Sequence, residues 1–224
     1  MTNTIQTISQ SLRVDIATLN TISNNVANTN TPGFRAERSL PSFQSQLNGS
    51  APRVAFDLQD GPLTLTGRSL DVALRGHGFF VVERDGQTLL TRAGNFRLDA
   101  NGNLVNANAD VVLGESGALA LSNDAVRINA KGELWAGERS LGKLKLVDVA
   151  DPARLTVVDG GFRYDGDLAE WKGSLQQGAI EHANVDVAGE SVRLMELTRH
   201  VESVQRAISI YDKAMDTGIN RLGE

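Results

Sequence analysis

Apolar residues recur along the chain with two different periods. They fall at Ile5, Ile8, Leu12, Leu19, Ile22 and Val26, the three-and-four spacing that lays one stripe along a helix. Asp15 interrupts the stripe where another apolar side chain would be in phase. The spacing predicts a helix from residue 4 to about 28. At the other end Leu194, Leu197, Val201, Val204, Ile208, Tyr211 and Met215 keep the same spacing, with Leu222 back in phase. Charged residues such as Arg193, Glu196, Arg199 and Glu202 flank them. This predicts a second helix from about Val187 to Leu222, started by Asn184 or Asp186 as cap, with a coiled-coil seam along it.

Between the two stripes the period falls to two and turn residues punctuate it. LDVAL (70–74), GFFVVE (78–83), TLLTR (88–92), NFRLD (95–99), NLVN (103–106), DVVLG (110–114), AVRINA (125–130), LKLVDV (144–149) and GFRYDG (161–166) read as short strands. Asp85-Gly86, Asn101-Gly102 and Lys131-Gly132 stand where hairpins need positive φ. The predicted class is α+β: N- and C-terminal helices pairing as a coiled coil, with an all-β middle domain. The divisions are residues 1–40, 41–177 and 178–224. Each seam side chain is worth roughly 1.5 to 3 kcal/mol when buried, whereas isolated helices are marginal in water. The ends are therefore expected to order fully only against each other or against neighbouring molecules.

Charge and composition sharpen this picture. With 22 basic and 27 acidic residues the chain carries a net charge of -5, which argues against nucleic acid as a partner. Of its eleven aromatic residues, none precedes Phe34 and only Tyr211 follows Trp171, so the bulky core belongs to the middle. Before Arg35 the only ionisable side chains are Arg13 and Asp15. A solvated surface helix carries more charge than that, so more than one face of the first helix is expected to meet protein. No run of about 18 apolar residues is present to form a membrane span, and the N-terminus lacks the pattern of a secretory signal.

Candidate chemistry is thin. There is no cysteine, which removes thiolate nucleophiles, thiolate metal sites and disulfides together. His77, His182 and His200 have no metal-ligand spacing, and His200 is expected on a solvated helix flank. Gly76-His77-Gly78 completes no phosphate-binding loop, and Asp165-Gly166-Asp167 reads as a turn rather than a calcium site. No catalytic residue, cofactor or metal is expected. A carboxylate pair brought together by folding, on a ligand-binding or hydrolytic β domain, is the competing class.

The stretch ISNNVANTNTPGF (22–34) ends the first helix with asparagines, no charge and a Pro-Gly turn. Asn24, Asn25 and Asn28 both donate and accept, so they suit a polar contact without the desolvation cost of a charge; an exposed helix end is the alternative.

LNTISNNVANTNTPGF (19–34) resembles the N-terminal motif of the bacterial flagellar rod and hook protein family. LTGRSLDVALRGHGFFVVE (65–83), LLTRAGNFRLDANGNLVNANADVVLG (89–114) and EHANVDVAGESVRLMELTRHVESVQRAISIYDKAMDT (181–217) are similar to its later blocks, in the same order. The resemblance implies a structural subunit whose terminal helices pack in the inner tube of an axial helical assembly, with the β domain outside. It also implies other rod subunits and the flagellar export apparatus as partners, a periplasmic rod as location, and export without a cleaved signal peptide. The residues expected at subunit contacts are Leu12, Leu19, Ile22, Asn24, Asn25, Asn28, Gly33, Phe34, Leu194, Leu197, Val201, Val204, Ile208, Tyr211 and Met215.

Overall fold

The computed structural model describes residues 2–40, 53–121 and 126–222, with side chains described over 8–40, 53–121, 126–211 and at 213 and 214. The chain forms two compact units. One holds the ends of the chain and residues 37–54; the other holds residues 28–36 and 55–185.

The first unit is built on two long helices, α1 (Thr2–Ala27) and α2 (Val187–Leu222). α2 occupies the range that its apolar period predicts. Of the two candidate caps, Asp186 takes the role, its Oδ1 accepting from the Gly189 amide at 3.1 Å. The helices run antiparallel, since Asn25 near the end of α1 bonds Glu190 at the start of α2, while Ser11 and Asp15 lie beside His200.

The two predicted seams behave differently. On α2, past the half-buried Gly189 and the buried Glu190, Leu197, Val201, Val204, Ile208 and Tyr211 are the half-buried positions among described side chains that are otherwise exposed, and Leu194 is 41% exposed. The side chain of Met215 lies outside the described residues. On α1 the buried line passes through Asp15, Thr21, Ile22 and Asn25, with Leu12 half-buried, whereas Leu19 and Val26 are turned outward at 41% and 44% exposure. A strict heptad stripe is thus not what α1 packs inward. The buried Thr21 and half-buried Thr18 manage because they donate to the carbonyls of Ala17 and Val14, one turn back.

The second unit is almost wholly β. Its largest sheet has ten strands, ordered through Leu155–Val158, Gly161–Tyr164, Gln87–Thr91, Phe79–Arg84, Val111–Gly114, Leu104–Val105 and Arg97–Leu98, with side branches. Strand Phe79–Arg84 is its centre and explains the unbroken run FFVV: Phe80 and Val82 point into one apolar cluster, Phe79 and Val81 into another. Phe80 meets Phe96 edge-on at 5.0 Å in the first cluster, and Phe79 meets Phe162 at 5.7 Å in the second. The hairpin to Gln87–Thr91 turns on Asp85 and Gly86 with φ of 49° and 76°, the two positive values a two-residue turn requires.

One loop design recurs three times: DANGN (Asp99–Asn103), NANAD (Asn106–Asp110) and NAKGE (Asn129–Glu133). In each, the first side-chain oxygen accepts the backbone amides two and four residues on. The first and fifth side chains also bond each other. The Asn103 amide leads the bonds that hold the Asp99 carboxyl below the ordinary range. Burial opposes ionisation of Asp110, but the Arg84 fork and Asn106 outweigh it and keep that carboxyl low as well.

The fourth residue of each loop has positive φ, and only the second loop places a side chain there, Ala109 at 66°. Left-handed backbone costs a non-glycine residue about 1 to 2 kcal/mol, of which glycine's greater freedom when unfolded returns about 0.5 to 1. Ala109→Gly is therefore expected to stabilise the β unit by about 0.5 to 1 kcal/mol, read as a rise in its melting midpoint; a fall would mean that the Ala109 methyl contributes packing.

Candidate functional site

The asparagine-rich stretch divides between the units. Asn25 is fully buried in the helical unit, where its Oδ1 accepts from the Glu37 amide at 2.8 Å. Its Nδ2 donates to the Glu37 carbonyl at 2.9 Å and to Glu190 Oε1 at 3.1 Å. One amide thus pins the end of α1 to the strand that follows and to the first turn of α2. An aspartate at this place would lose both donated bonds and face Glu190 with like charge, which is why the position suits an uncharged side chain that both gives and takes. Asn24 donates to Glu37 Oε1 at 2.6 Å. Burial raises the Glu37 carboxyl above its ordinary range, and the Asn24 bond partly opposes this.

Asn28 to Gly33 belong to the β unit. Asn28 accepts from the Thr31 amide and hydroxyl, closing a turn before Pro32. Gly33, at φ +69°, presses on the backbone of Arg92 and Ala93 so closely that an added Cβ would stand 2.4 Å from Ala93 N, and its amide donates to the Glu181 carbonyl.

Around that contact lies a charged knot which sequence reasoning did not single out. Glu181, with no exposed side-chain surface, takes Arg35 Nη2 at 2.8 Å, Arg92 Nε at 2.9 Å and the Gly61 amide at 2.8 Å. Arg92 uses its remaining donors on the carbonyls of Gly76 and Gly78 and on Asp60. Burial, with the neighbouring Arg92 guanidinium, pulls Arg35 below the usual guanidinium range. Two arginines against Glu181 and the partly exposed Asp60 balance in charge, which makes burial of the set tolerable. A carboxylate so occupied offers no access to a substrate, and Glu181 and Asp60 are committed to the two arginines rather than arranged as an acid and base pair.

Asn184 closes the same region. It accepts from the Ala36 amide at 2.7 Å and donates to the carbonyls of Asp57 and Gln59. The Asn184 amide reaches the carbonyl of Phe34, which is half-buried. The signal for Arg92, Glu181 and Asn184 lay in the quoted blocks themselves, and that for Arg35 one residue past the first block, as charged or amide side chains among glycines and apolar residues. No spacing rule links positions so distant in the chain.

Among the described residues, no cluster of histidine and carboxylate side chains could hold a metal ion. An open cleft of about 420 Å³ runs past Arg68, Arg127, Trp135 and Gln177. The Gln177 amide is already committed to the carbonyls of Ser69 and Val126. The exposed faces of the helices are more telling. Ile16 (55%), Leu19 and Val26 mark an uncovered apolar line on α1, and Val192, Leu194, Met195 and Ile210 are uncovered on α2.

The flagella basal body rod protein model matches residues 11–35, and the flagellar hook protein FlgE/F/G D1 domain matches 73–136. The C-terminal region of flagellar basal body rod FlgEFG proteins matches 176–222. Each matched stretch supplies a member of the charged knot: Arg35, Arg92 and Glu181. The chain belongs to the flagellar rod and hook protein family. Two relatives named flagellar basal-body rod protein FlgF are each 29% identical. That of Caulobacter vibrioides aligns over 92% of both chains, and that of Escherichia coli over 84% of this chain and 85% of its own. Flagellar basal-body rod protein FlgG of Buchnera aphidicola from Acyrthosiphon pisum is 27% identical over 88% of this chain and 91% of its own. Within the rod and hook family, the short stretch between Phe34 and Val54 and the run LMELTRHVESVQRAISIYDKA resemble the proximal rod type, FlgF, with the distal FlgG as the alternative.

Proposed function

We propose that this chain is a non-enzymatic structural subunit of the flagellar basal-body rod, of the FlgF type, which assembles helically through its terminal helices and transmits torque. The observation that carries the reading is the apolar surface left open on each helix. α1 and α2 already pack against one another, yet Ile16, Leu19 and Val26 on one and Leu194, Met195 and Ile210 on the other remain uncovered. Uncovered apolar residues on both helices suit repeated contacts with further copies and with neighbouring rod subunits, and head-to-tail contacts of that kind extend rather than close.

In this reading the pair becomes a coiled coil within the rod's inner tube, from residues 1–40 and 178–224, with 41–177 outside. Leu12, Ile22, Leu197, Val201, Val204, Ile208 and Tyr211 hold the pair, with Met215 continuing the line. Leu19 and Leu194 face neighbours, and Asn24, Asn25, Asn28, Gly33 and Phe34 form the end of α1 and the turn after it, beside those subunit contacts. The subunit reaches the periplasm through the flagellar export apparatus without a cleaved signal.

Leu19→Glu separates assembly from folding, because the side chain is already uncovered in the free chain. In cells lacking the wild-type copy it is expected to abolish swimming, since a lone carboxylate buried at a subunit contact costs about 3 kcal/mol or more. The purified variant should keep its helix content and melting midpoint. Normal swimming would overturn the reading.

A further inference from the structure

Asp15, the one charge in the apolar stripe of α1, is 8% exposed, and its Oδ2 is buried with no hydrogen-bond partner. The side chain facing it is His200 of α2, whose Nε2 stands 3.7 Å from that oxygen and 3.5 Å from Ser11 Oγ, one turn earlier on α1. Ser11 and Asp15 thus form a polar notch in the helix pair that receives one imidazole edge. Serine, histidine and aspartate here are no hydrolytic triad: both oxygens approach the same ring nitrogen, where a relay needs one on each.

From this geometry we infer that Ser11, Asp15 and His200 form a proton-sensitive latch that tightens the pairing of α1 and α2 when the imidazole is charged. Imidazole changes charge close to neutrality, and only its protonated form can neutralise a carboxylate. With His200 neutral, the helix pair keeps a desolvated negative charge whose inner oxygen has no donor, so opening the pair and returning Asp15 to water becomes easier. With a proton taken from solvent, His200 offers N–H and positive charge toward the notch, and separation exposes nothing that was short of a partner.

The other charges nearby do not compete for this role. On α1 the only other ionisable side chain is Arg13, which is exposed. On α2, Glu196 lies one turn before His200, with Arg199 and Glu202 close in sequence, and all three are exposed to screening solvent.

The bearing of the latch on rod assembly rests on the proposed function, because a loosened pair would present its outer apolar lines less regularly. The latch itself is read on the free chain. The test is amide hydrogen exchange of α1 and α2 in the full-length purified protein at pH 5.5 and 7.5, corrected for the intrinsic chemistry, with strands Phe79–Arg84 and Gln87–Thr91 as internal reference. Wild-type helix protection is expected to fall on the order of fivefold from the lower to the higher pH. His200→Gln should remove this response and hold protection at the lower level. Asp15→Asn should remove it and hold protection at or above the higher one. An unchanged pH response in His200→Gln, or a wild type whose helices respond no more than the reference strands, would overturn the inference. Either failure leaves the assembly reading standing, and a swimming Leu19→Glu strain would leave the latch standing.

Discussion

Replacing Glu181 with glutamine is expected to destabilise the β unit by about 3 to 5 kcal/mol. Glutamine fits the space but brings one acceptor oxygen where two charged ones stood, and its NH2 group would meet a guanidinium donor. Arg35 and Arg92, both 1% exposed at the side chain, would then share only Asp60, itself 40% exposed and 4.0 Å from Arg35. Most of the loss comes from the stranded charges rather than from missing bonds. Urea unfolding of the purified variant measures it, as a lower midpoint with an unchanged slope. A loss below about 1 kcal/mol would mean that water or relaxation solvates the arginines, and that the knot is less closed than its geometry indicates.

Gly33→Ala should be nearly as damaging, at about 3 kcal/mol, although it adds one methyl group. Left-handed backbone at φ +69° accounts for about 1 to 2 kcal/mol of that. The remainder is steric, because the new Cβ would stand 2.4 Å from both Ala93 N and the Arg92 carbonyl carbon, atoms of a backbone that cannot rotate away. The segment from Asn28 to Arg35 is expected to lift from the β unit and lose its bond to the Glu181 carbonyl. Limited proteolysis would then cut the variant early between residues 28 and 38 and leave strands 72–91 intact. Cleavage at the wild-type rate would show that the turn shifts to accommodate the methyl.

How much of this was legible in the sequence follows from the range over which each interaction acts. α2 was readable because helix period, cap and seam are local, and they place it from Val187 to Leu222. Strands with a continuous or alternating apolar run, such as Phe79–Arg84 and Val111–Gly114, were readable for the same reason. Arg139–Lys143 and Ser174–Gln177 were not, because they carry few apolar residues and owe their pairing to Glu133–Ala136 and Val72–Arg75. α1 was readable as a helix but not in its rotation: Leu19 looked like a seam residue and is exposed, while Asp15 looked like a defect and is buried beside His200. The asparagines of the opening motif stood out by their number. Their partners Glu37 and Glu190 did not, since a lone glutamate in sequence gives no sign of what it will meet.

Asn184 touches Ala36, Asp57 and Gln59 through its side chain and Phe34 through its backbone, so the points at which the chain first leaves the β unit, re-enters it and leaves it again are gathered at one residue. A body whose chain ends meet this way can be exchanged as a cassette. Replacing the stretch between Leu65 and Gly178 with another β body keeps the bonds of Asn184, the Gly61 amide on Glu181 and the pairing of Ala179–Glu181 with Leu63–Leu65, provided the new insert returns an arginine to the place of Arg92. Grafting is then an engineering operation on the β unit alone, and the two helices carry over without redesign.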